Sequence, residues 1–402
     1  MLYPYVYILG RSAFLGQSRQ AIESARSLGL SYGQAVRRVA LPLARPALAG
    51  GAALAVMEAL ADFGAVDLLG IQALTSAIYR VWYGAFDQAA ALQLATVLVG
   101  LALTMVTIER LLRGRARYHQ ALGAGDAVAP RRLRGWRGWL AAAPGTLVLL
   151  VVFAIPVVQL VAWSIETIVD DQLGEGLWTA ARNTLLLGAF AAVVAVTTST
   201  VVVYGQRSTP SRGGSFAARL ATLGYAVPGT VVAVAVYVPL VWFDRRVIGI
   251  TEAVLGNREL LFTGTILGLL VAYLVRFHAL AFFAVESRMS RIGTNLDDAA
   301  RALGADRARI LADVHLPLLR PGLVTAALLV LVEVMKELPA TALLRPLGGD
   351  TLAITVWEAT KDSRFDVAAL PALLIVVVGL LPVVMLVHLL RTSGWAEAAE
   401  RV

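Results

Sequence analysis

The sequence is poor in the residues on which most soluble enzymes depend. It contains no cysteine, which excludes disulfides, thiolate nucleophiles and cysteine metal sites. Only 15% of its 402 residues are charged, whereas a soluble domain carries about a quarter. Its only two lysines, Lys336 and Lys361, do not follow a glycine, as the lysine of a phosphate-binding loop does. We therefore expect that this chain does not hydrolyse ATP.

The four histidines offer no catalytic or metal-binding pattern. His119, His278, His315 and His388 are isolated from one another, and none has the spacing of a metal site. No serine, histidine and aspartate arrangement is apparent. We predict no catalytic residue, no metal site and no cofactor. For His315 and His388, near predicted membrane edges, an interfacial role is the simpler interpretation.

Long apolar stretches are the main feature of the sequence. Hydrophobic residues make up 58% of the chain, and several apolar stretches reach the roughly 20 residues that a bilayer core requires. Residues 1–4 include no basic residue, so they do not resemble a signal peptide. We predict an all-α fold, a polytopic helical membrane protein. The expected spans are 47–69, 88–110, 140–164, 180–205, 218–242, 261–285, 321–344 and 369–391.

The distribution of charge predicts the topology. The formal charge of +8 comes from arginines that crowd alternate connections, above all 110–137, whereas 165–179 holds acidic residues and no basic one. Because cytoplasmic connections are rich in arginine, we place 110–137 in the cytoplasm. The basic excess then faces anionic membrane lipid, and we expect no nucleic-acid partner.

One polar element occurs twice, at a constant offset of 275 positions. The segment ESARSLG begins at Glu23, and DAARALG begins at Asp298. Further along, Glu58 matches Glu333, and Trp82 matches Trp357. Both copies lie in predicted cytoplasmic connections, with an even number of spans between them. This repeat predicts a duplicated membrane domain.

Each copy predicts a compact elbow of two short helices joined at a glycine. Gly29 and Gly304 follow the first helix, where a positive φ favours glycine. We name residues 18–46 the first elbow and residues 290–321 the second elbow. The first helices are expected to begin at Ser18 or Gln20 and around Asn295, Asp297 and Asp298.

The second arm of each elbow has its own start and stop signals. Ser31 and Gln34 have the spacing of a capping box, and Asp306 and Arg309 occupy the matching places. Proline lacks the N–H that a helix interior needs. We therefore expect the second short helices to end at Pro42 and Pro317.

The elbow pattern resembles that of the permease subunits of type I ABC importers. The shared features are Glu-Ala-Ala, three residues, Gly and a distal Leu-Pro, with Ser24 in place of the middle alanine and Asp298 in place of glutamate. In that family this elbow is the coupling helix, which docks into the cytoplasmic ABC ATPase dimer. The resemblance implies that the ATPase contact is made by Glu23, Ala25, Gly29, Pro42, Asp298, Ala299, Ala300, Gly304 and Pro317.

A narrower resemblance is to the fused two-half permeases for ferric iron in bacteria. It rests on the run from Met335 to Thr341, on Leu344-Arg345-Pro346 and on Ala61-Asp62-Phe63-Gly64. It implies an inner-membrane location and a periplasmic substrate-binding protein that delivers the iron. Thiamine permeases share the duplicated layout, so thiamine or another small solute stays open as the substrate.

The resemblance and the repeat together predict the domains. They are a first permease domain in 1–112, an arginine-rich cytoplasmic linker in 113–137 and a second permease domain with six membrane helices in 138–402. The first domain holds only about two and a half helices. We therefore expect an N-terminally incomplete first domain, with a genuinely shortened permease as the alternative.

Intramembrane charges are the candidates for a translocation path, since they usually face an interior path or a partner. Glu333, Lys336 and Glu337 have the spacing of one helix face, and Glu58 and Asp62 are the repeat equivalents of Glu333 and Glu337. Carboxylate oxygens suit a hard cation such as ferric iron. A purely structural Glu333–Lys336 pair is the alternative, and we expect Arg276 to pack against a neighbouring helix end.

An importer is not the only class of transporter that fits these charges. An ion-coupled secondary carrier could use the same carboxylates, and carriers also contain repeats. Nothing in a carrier requires a pair of cytoplasmic elbows, so the repeat favours the importer.

Overall fold

The computed structural model describes residues 2–15, 19–113, 135–170, 174, 176–255 and 260–390. Over these residues the regular structure is helical, with no strand, in agreement with the all-α prediction. Most of the predicted linker 113–137 lies outside the described residues, as do Ser18 and His119. Six helices in the described part are long and apolar enough to cross a membrane: Tyr32–Ala61, Gln88–Met105, Gly138–Val169, Leu177–Ser208, Ile266–Met289 and Arg307–Met335.

The chain forms two compact units. The first consists of Met1–Asp62 with Thr96–Val158, and the second of Phe63–Ala95 with Gln159–Val402. In the first unit, helix Tyr3–Leu15 packs on helix Leu41–Ala61. A Cβ on Gly51 would lie 2.7 Å from Cα of Val6, so only glycine permits this close approach.

The second unit is built on three mutually packed helices, Leu177–Ser208, Ile266–Met289 and Leu316–Met335. A Cβ on Gly188 would lie 2.7 Å from Cδ1 of Leu331. Small residues at such contacts let membrane helices approach closely, which increases their van der Waals attraction.

The two copies of the repeat have the same order of secondary structure. Each has a short helix, a π turn, an apolar helix, a very short helix, a ten-residue helix and a long helix. In the first copy these are Arg19–Ser27, Val36–Ala40, Leu41–Ala61, Gly64–Leu68, Leu74–Tyr83 and Gln88–Arg113; in the second they are Thr294–Ala302, Ile310–His315, Leu316–Met335, Pro339–Leu344, Leu352–Lys361 and Phe365–Leu390.

The prediction that Pro42 and Pro317 end a short helix is wrong. Both prolines lie in the first turn of an apolar helix that continues from a π turn. The N–H groups of Leu41 and Leu316 donate to carbonyls five residues back, on Val36 and Leu311. This wider turn accommodates a proline, which has no N–H to place in the α pattern. The second arm of each elbow is therefore the start of a membrane helix.

Three predicted spans are wrong in their continuity. The spans 47–69 and 321–344 are each interrupted, because the apolar helices end at Ala61 and Met335. In the second copy Pro339 cannot donate to the carbonyl four residues back; in the first copy Asp62 is extended.

The third discontinuous span is 218–242. It contains the end of a short helix, Arg212–Ala221, then a 3₁₀ turn, Leu223–Ala226, and only then the start of a long helix. Its long helix, Gly229–Leu255, begins directly after Pro228. Proline is tolerated where a helix starts, since the first N–H groups have no partner within the helix.

Candidate functional site

The first elbow is a short helix closed by a glycine turn. Helix Arg19–Ser27 ends before Gly29, whose φ is +90°. The N–H of Ser31 donates to Oε1 of Gln34 at 3.0 Å, and the N–H of Gln34 donates to Oγ of Ser31 at 3.4 Å. The predicted glycine cap and capping box are therefore confirmed. Along the short helix, Glu23 is exposed and Ala25 is buried.

The second elbow repeats this geometry. Helix Thr294–Ala302 is followed by Gly304, with a φ of +82°. Asp306 replaces the serine cap, since its Oδ1 accepts the N–H of Arg309 at 2.8 Å. Asp298 and Ala299 are exposed. Each elbow thus presents a carboxylate on an exposed surface, which is suited to contact with a partner protein.

A buried charge network holds the second elbow. Nε of Arg207 donates to Oδ2 of Asp297 at 2.8 Å. On the other side, Nε2 of His315 lies 2.9 Å from Oδ1 of Asp297, without the alignment of a hydrogen bond. Asp297 and His315 are buried. We call these three residues the polar joint.

Arg207 also binds the backbone that leads into the elbow. Its Nη1 donates to the carbonyls of Met289 and Ile292 at 3.0 and 2.9 Å, and its Nη2 to the carbonyl of Gly293 at 3.2 Å. These acceptors lie at the end of helix Ile266–Met289 and immediately before the short helix. One guanidinium thus fixes the entry to the elbow.

The environment of Asp297 keeps its carboxylate ionised. Burial raises the pKa of the Asp297 carboxyl, but the hydrogen bond and charge of Arg207, with the nearby His315, outweigh burial and hold this pKa below its ordinary value. The ionised form is favoured because it is the form that accepts the Arg207 hydrogen bond.

A second set of bonds joins the same helix end to the far side of the elbow. The hydroxyl of Tyr204 donates to the carbonyl of Arg307 at 2.6 Å. Nη1 of Arg307 donates to Oγ1 of Thr209 at 2.9 Å. The last turn of helix Leu177–Ser208 therefore binds the elbow both before and after its short helix.

The polar joint was not among the residues predicted from the sequence. Arg207 was not named as a candidate, Asp297 was expected only to start a helix, and His315 was interpreted as interfacial, whereas it is fully buried. The signal lay in the repeat. At the positions equivalent to Asp297 and His315, the first copy has Ile22 and Ala40, so only the second copy has these buried polar side chains.

The predicted path residues of the second unit fall into two separate ion pairs. Lys336 Nζ lies 2.8 Å from Glu333 Oε1. Glu337 pairs with Arg276 and accepts the N–H of Ala340 at 3.0 Å. The prediction that Glu337 shares a helix face with Glu333 and Lys336 is wrong, because the helix ends at Met335. Arg276 also lies beside Gly229, the first residue of helix Gly229–Leu255, so it contacts both this carboxylate and a neighbouring helix end.

In the first unit, the predicted path residues lie at the end of helix Leu41–Ala61. Glu58 is in its last turn and Asp62 follows it directly, and both are half-buried. Among the described residues, no group of three or more histidine, aspartate or glutamate side chains could hold a metal ion.

The second unit also contains an aromatic cluster, at the end away from the second elbow. Trp357 packs on Phe63 and Tyr79, with ring centroids 5.5 and 5.2 Å apart. Its Nε1 donates to Oδ2 of Asp67 at 3.1 Å. Ala342 is buried in the same cluster. Residues 63–95 thus pack on the segment that follows the second apolar helix.

The chain is similar to one known protein family and to several known proteins. A family model described as "Binding-protein-dependent transport system inner membrane component" matches residues 1–118 and 203–392. The Fe(3+)-transport system permease protein FbpB 2 of Haemophilus influenzae is 25% identical over 387 residues, which cover 96% of this chain and 74% of that protein.

Two further proteins show the breadth of this likeness. A probable molybdenum ABC transporter permease protein of Haloferax volcanii is 28% identical over 65% of this chain and 92% of its own length. A chain from the crystal structure of a bacterial alginate ABC transporter, in complex with an alginate pentasaccharide-bound periplasmic protein, aligns with a TM-score of 0.50. That alignment is 17% identical and covers 64% of this chain and 96% of the other, and it supports the fold alone.

Proposed function

Because the chain belongs to the binding-protein-dependent transport system inner membrane components, and so is the permease subunit of an ABC importer, we propose that a separate cytoplasmic ATPase dimer drives it through its two elbows. The observation that carries this proposal is the pair of short helices Arg19–Ser27 and Thr294–Ala302, each closed by a glycine at positive φ. Their exposed carboxylates, Glu23 and Asp298, are suited to contact a partner.

In this proposal both elbows face the cytoplasm, on the side of the arginine-rich connections. The aromatic cluster around Trp357 then lies toward the periplasm, where a binding protein releases the substrate. Binding and hydrolysis of ATP on the partner would move the elbows, and the membrane helices would open alternately to the two sides. We assign the ATPase contact to Glu23, Asp298, Ala299 and Ala300 on the two short helices and to Gly29 and Gly304, and we exclude Ala25 because it is buried.

We propose ferric iron as the substrate. The Haemophilus relative that covers most of this chain is named as an Fe(3+) permease, and each copy of the repeat has carboxylates predicted for a path, Glu58 and Asp62 in the first unit and Glu333 in the second. Carboxylate oxygen is a preferred ligand of hard cations. Glu333 forms a partly exposed ion pair with Lys336, whereas Glu337 is buried in its ion pair with Arg276. We therefore assign Glu337 a smaller role than Glu333 in the path.

Purification and uptake from one preparation test the proposal. The chain, expressed with its neighbouring genes and solubilised in mild detergent, should retain an ATPase. In proteoliposomes with the matching binding protein, uptake of ⁵⁵Fe³⁺ should require ATP. Uptake driven by a proton gradient without a bound ATPase would instead indicate a secondary carrier. ATP-dependent uptake of labelled molybdate or thiamine, but not iron, would overturn the substrate alone.

A further inference from the structure

We infer that the polar joint of Arg207, Asp297 and His315 is the positioning site that makes the second elbow and helix Leu177–Ser208 move as one body, so that the partner's motion reaches the aromatic cluster. This inference rests on the proposed function. It assigns to these three side chains a role in coupling rather than in substrate contact.

The first argument is that the joint is built for rigidity. The Arg207 side chain donates four hydrogen bonds to the elbow and to the backbone before it, while Asp297 and His315 are buried. Charge-assisted bonds to a planar guanidinium fix direction as well as distance. The short helix is thereby prevented from pivoting about the end of the long helix.

The second argument is that the long helix reaches the opposite end of the unit. Thr184 Oγ1 accepts the N–H of Leu352 at 2.8 Å, and Asn183 Nδ2 donates to the carbonyl of Asp350 at 3.1 Å. At 1.5 Å per residue, Thr184 lies about 35 Å from Arg207 along the helix. Leu352 begins the helix that carries Trp357, so bonded contacts connect the elbow to the aromatic cluster.

The third argument is the asymmetry of the repeat. Ile22 and Ala40 in the first elbow cannot form an equivalent ion pair. A generic requirement for folding the elbow would apply to both copies. The joint therefore serves the second elbow, whose long helix leads to the cluster.

A cysteine reporter tests this inference without reference to the substrate. The chain contains no cysteine, so Ala342→Cys places a single thiol in the aromatic cluster. Inside-out vesicles that carry the permease with its ATPase are treated with N-ethylmaleimide, with and without ATP and vanadate. In the reporter chain, trapping the ATPase should change the labelling rate.

Asp297→Asn should reduce this ATP-dependent change by at least about five-fold, the lower end of typical coupling effects. Arg207→Lys keeps the charge but loses the fork of donors, and should give an intermediate loss. The matched control is Asp313→Asn, since Asp313 belongs to an exposed pair with Arg309 on the same elbow; it should leave the change intact.

The two proposals fail in different ways. If the ATPase does not bind and uptake does not require ATP, the proposed function fails; if uptake requires ATP but the reporter chain shows no ATP-dependent change, the partner's motion does not reach the cluster and the inference fails. If that change is present and both Asp297→Asn and Arg207→Lys retain it, the joint has no coupling role. The inference is also overturned if both variants only lower the yield of folded chain and the surviving complexes respond normally to ATP.

Discussion

The guanidinium of Arg276 pairs with the carboxylate of Glu337, and their side chains are only 13% and 4% exposed. The carboxylate also accepts the N–H of Ala340, so the pair fixes the start of helix Pro339–Leu344. Gly229 leaves the room that this pair occupies, because a Cβ there would lie 2.1 Å from Nη1 of Arg276. The contact therefore has the features of a structural ion pair.

Loss of the Glu337 carboxylate should destabilise the chain more than loss of the Glu333 carboxylate. Glu337→Ala leaves Arg276 charged and buried, which should cost about 3–5 kcal/mol. Glu333→Ala breaks a pair that is 47% and 24% exposed, which should cost about 0–1 kcal/mol. Thermal unfolding of the purified variants in detergent measures both.

Measurement of iron uptake then distinguishes a role in the translocation path from a structural role. If Glu333 lines the path, Glu333→Ala lowers iron uptake while the melting temperature stays near that of the parent chain. Unchanged uptake in a variant with alanine at both Glu333 and Glu337 would remove both carboxylates from the path.

The glycine turns should control binding of the ATPase. Gly304→Ala forces an L residue to a φ of +82°, at a cost of about 1–2 kcal/mol. The unbound variant escapes this strain by relaxing the turn, and docking must restore it; since 1.4 kcal/mol is ten-fold in affinity, the ATPase should bind about ten-fold more weakly. Gly304→Asn should lose less, because asparagine tolerates this conformation. Titration of the purified ATPase against the permease in nanodiscs provides the measurement.

Gly33→Ala is the control for this series. Gly33 is helical, and a Cβ there meets nothing within 4 Å, so alanine is tolerated and improves helix propensity. Its affinity for the ATPase should match that of the parent chain. An equal loss at Gly33 and Gly304 would mean that the positive φ is not what the contact requires.

Asp297 should give the stability of the chain a defined dependence on pH. Its folded-state pKa lies below its ordinary value, which is about 3.9 for an unfolded chain. The ionised carboxylate therefore adds stability above that pH, and this contribution is lost as the pH falls through the folded-state pKa. The difference in melting temperature between the parent chain and Asp297→Asn should be constant above about pH 5 and should narrow below it. For Asp313→Asn the difference should be small throughout.

The elbows could be predicted because their signals are local. A glycine after a short polar helix and a Ser-x-x-Gln cap depend on neighbouring residues, and the repeat shows them twice. The continuation through Pro42 and Pro317 could not be predicted, since a π turn has no residue preference as strong as the aversion of α-helices to proline.

The polar joint was missed for a different reason. Arg207 and Asp297 are far apart in the sequence, and no local pattern predicts their contact. The difference between the two copies is the sequence signal for this site, because Asp297 in the second copy stands where the first copy has Ile22. The partner of Glu337 was missed likewise, since its contact with Arg276 depends on how two helices pack.

A double-mutant cycle at Trp357 tests how residues 63–95 join the second unit. Trp357→Ala should cost about 3–5 kcal/mol, as for other buried tryptophans. Trp357→Phe keeps an aromatic ring but loses the hydrogen bond to Asp67, and a bond to a charged group contributes about 1.5–3 kcal/mol. Asp67→Ala removes the same bond from the other side. The combined variant Trp357→Phe with Asp67→Ala should therefore be less destabilised than the sum of the two single changes. Additive losses in melting experiments would show that the two side chains do not interact, and that Asp67 is not the acceptor that ties the first copy of the repeat to the second.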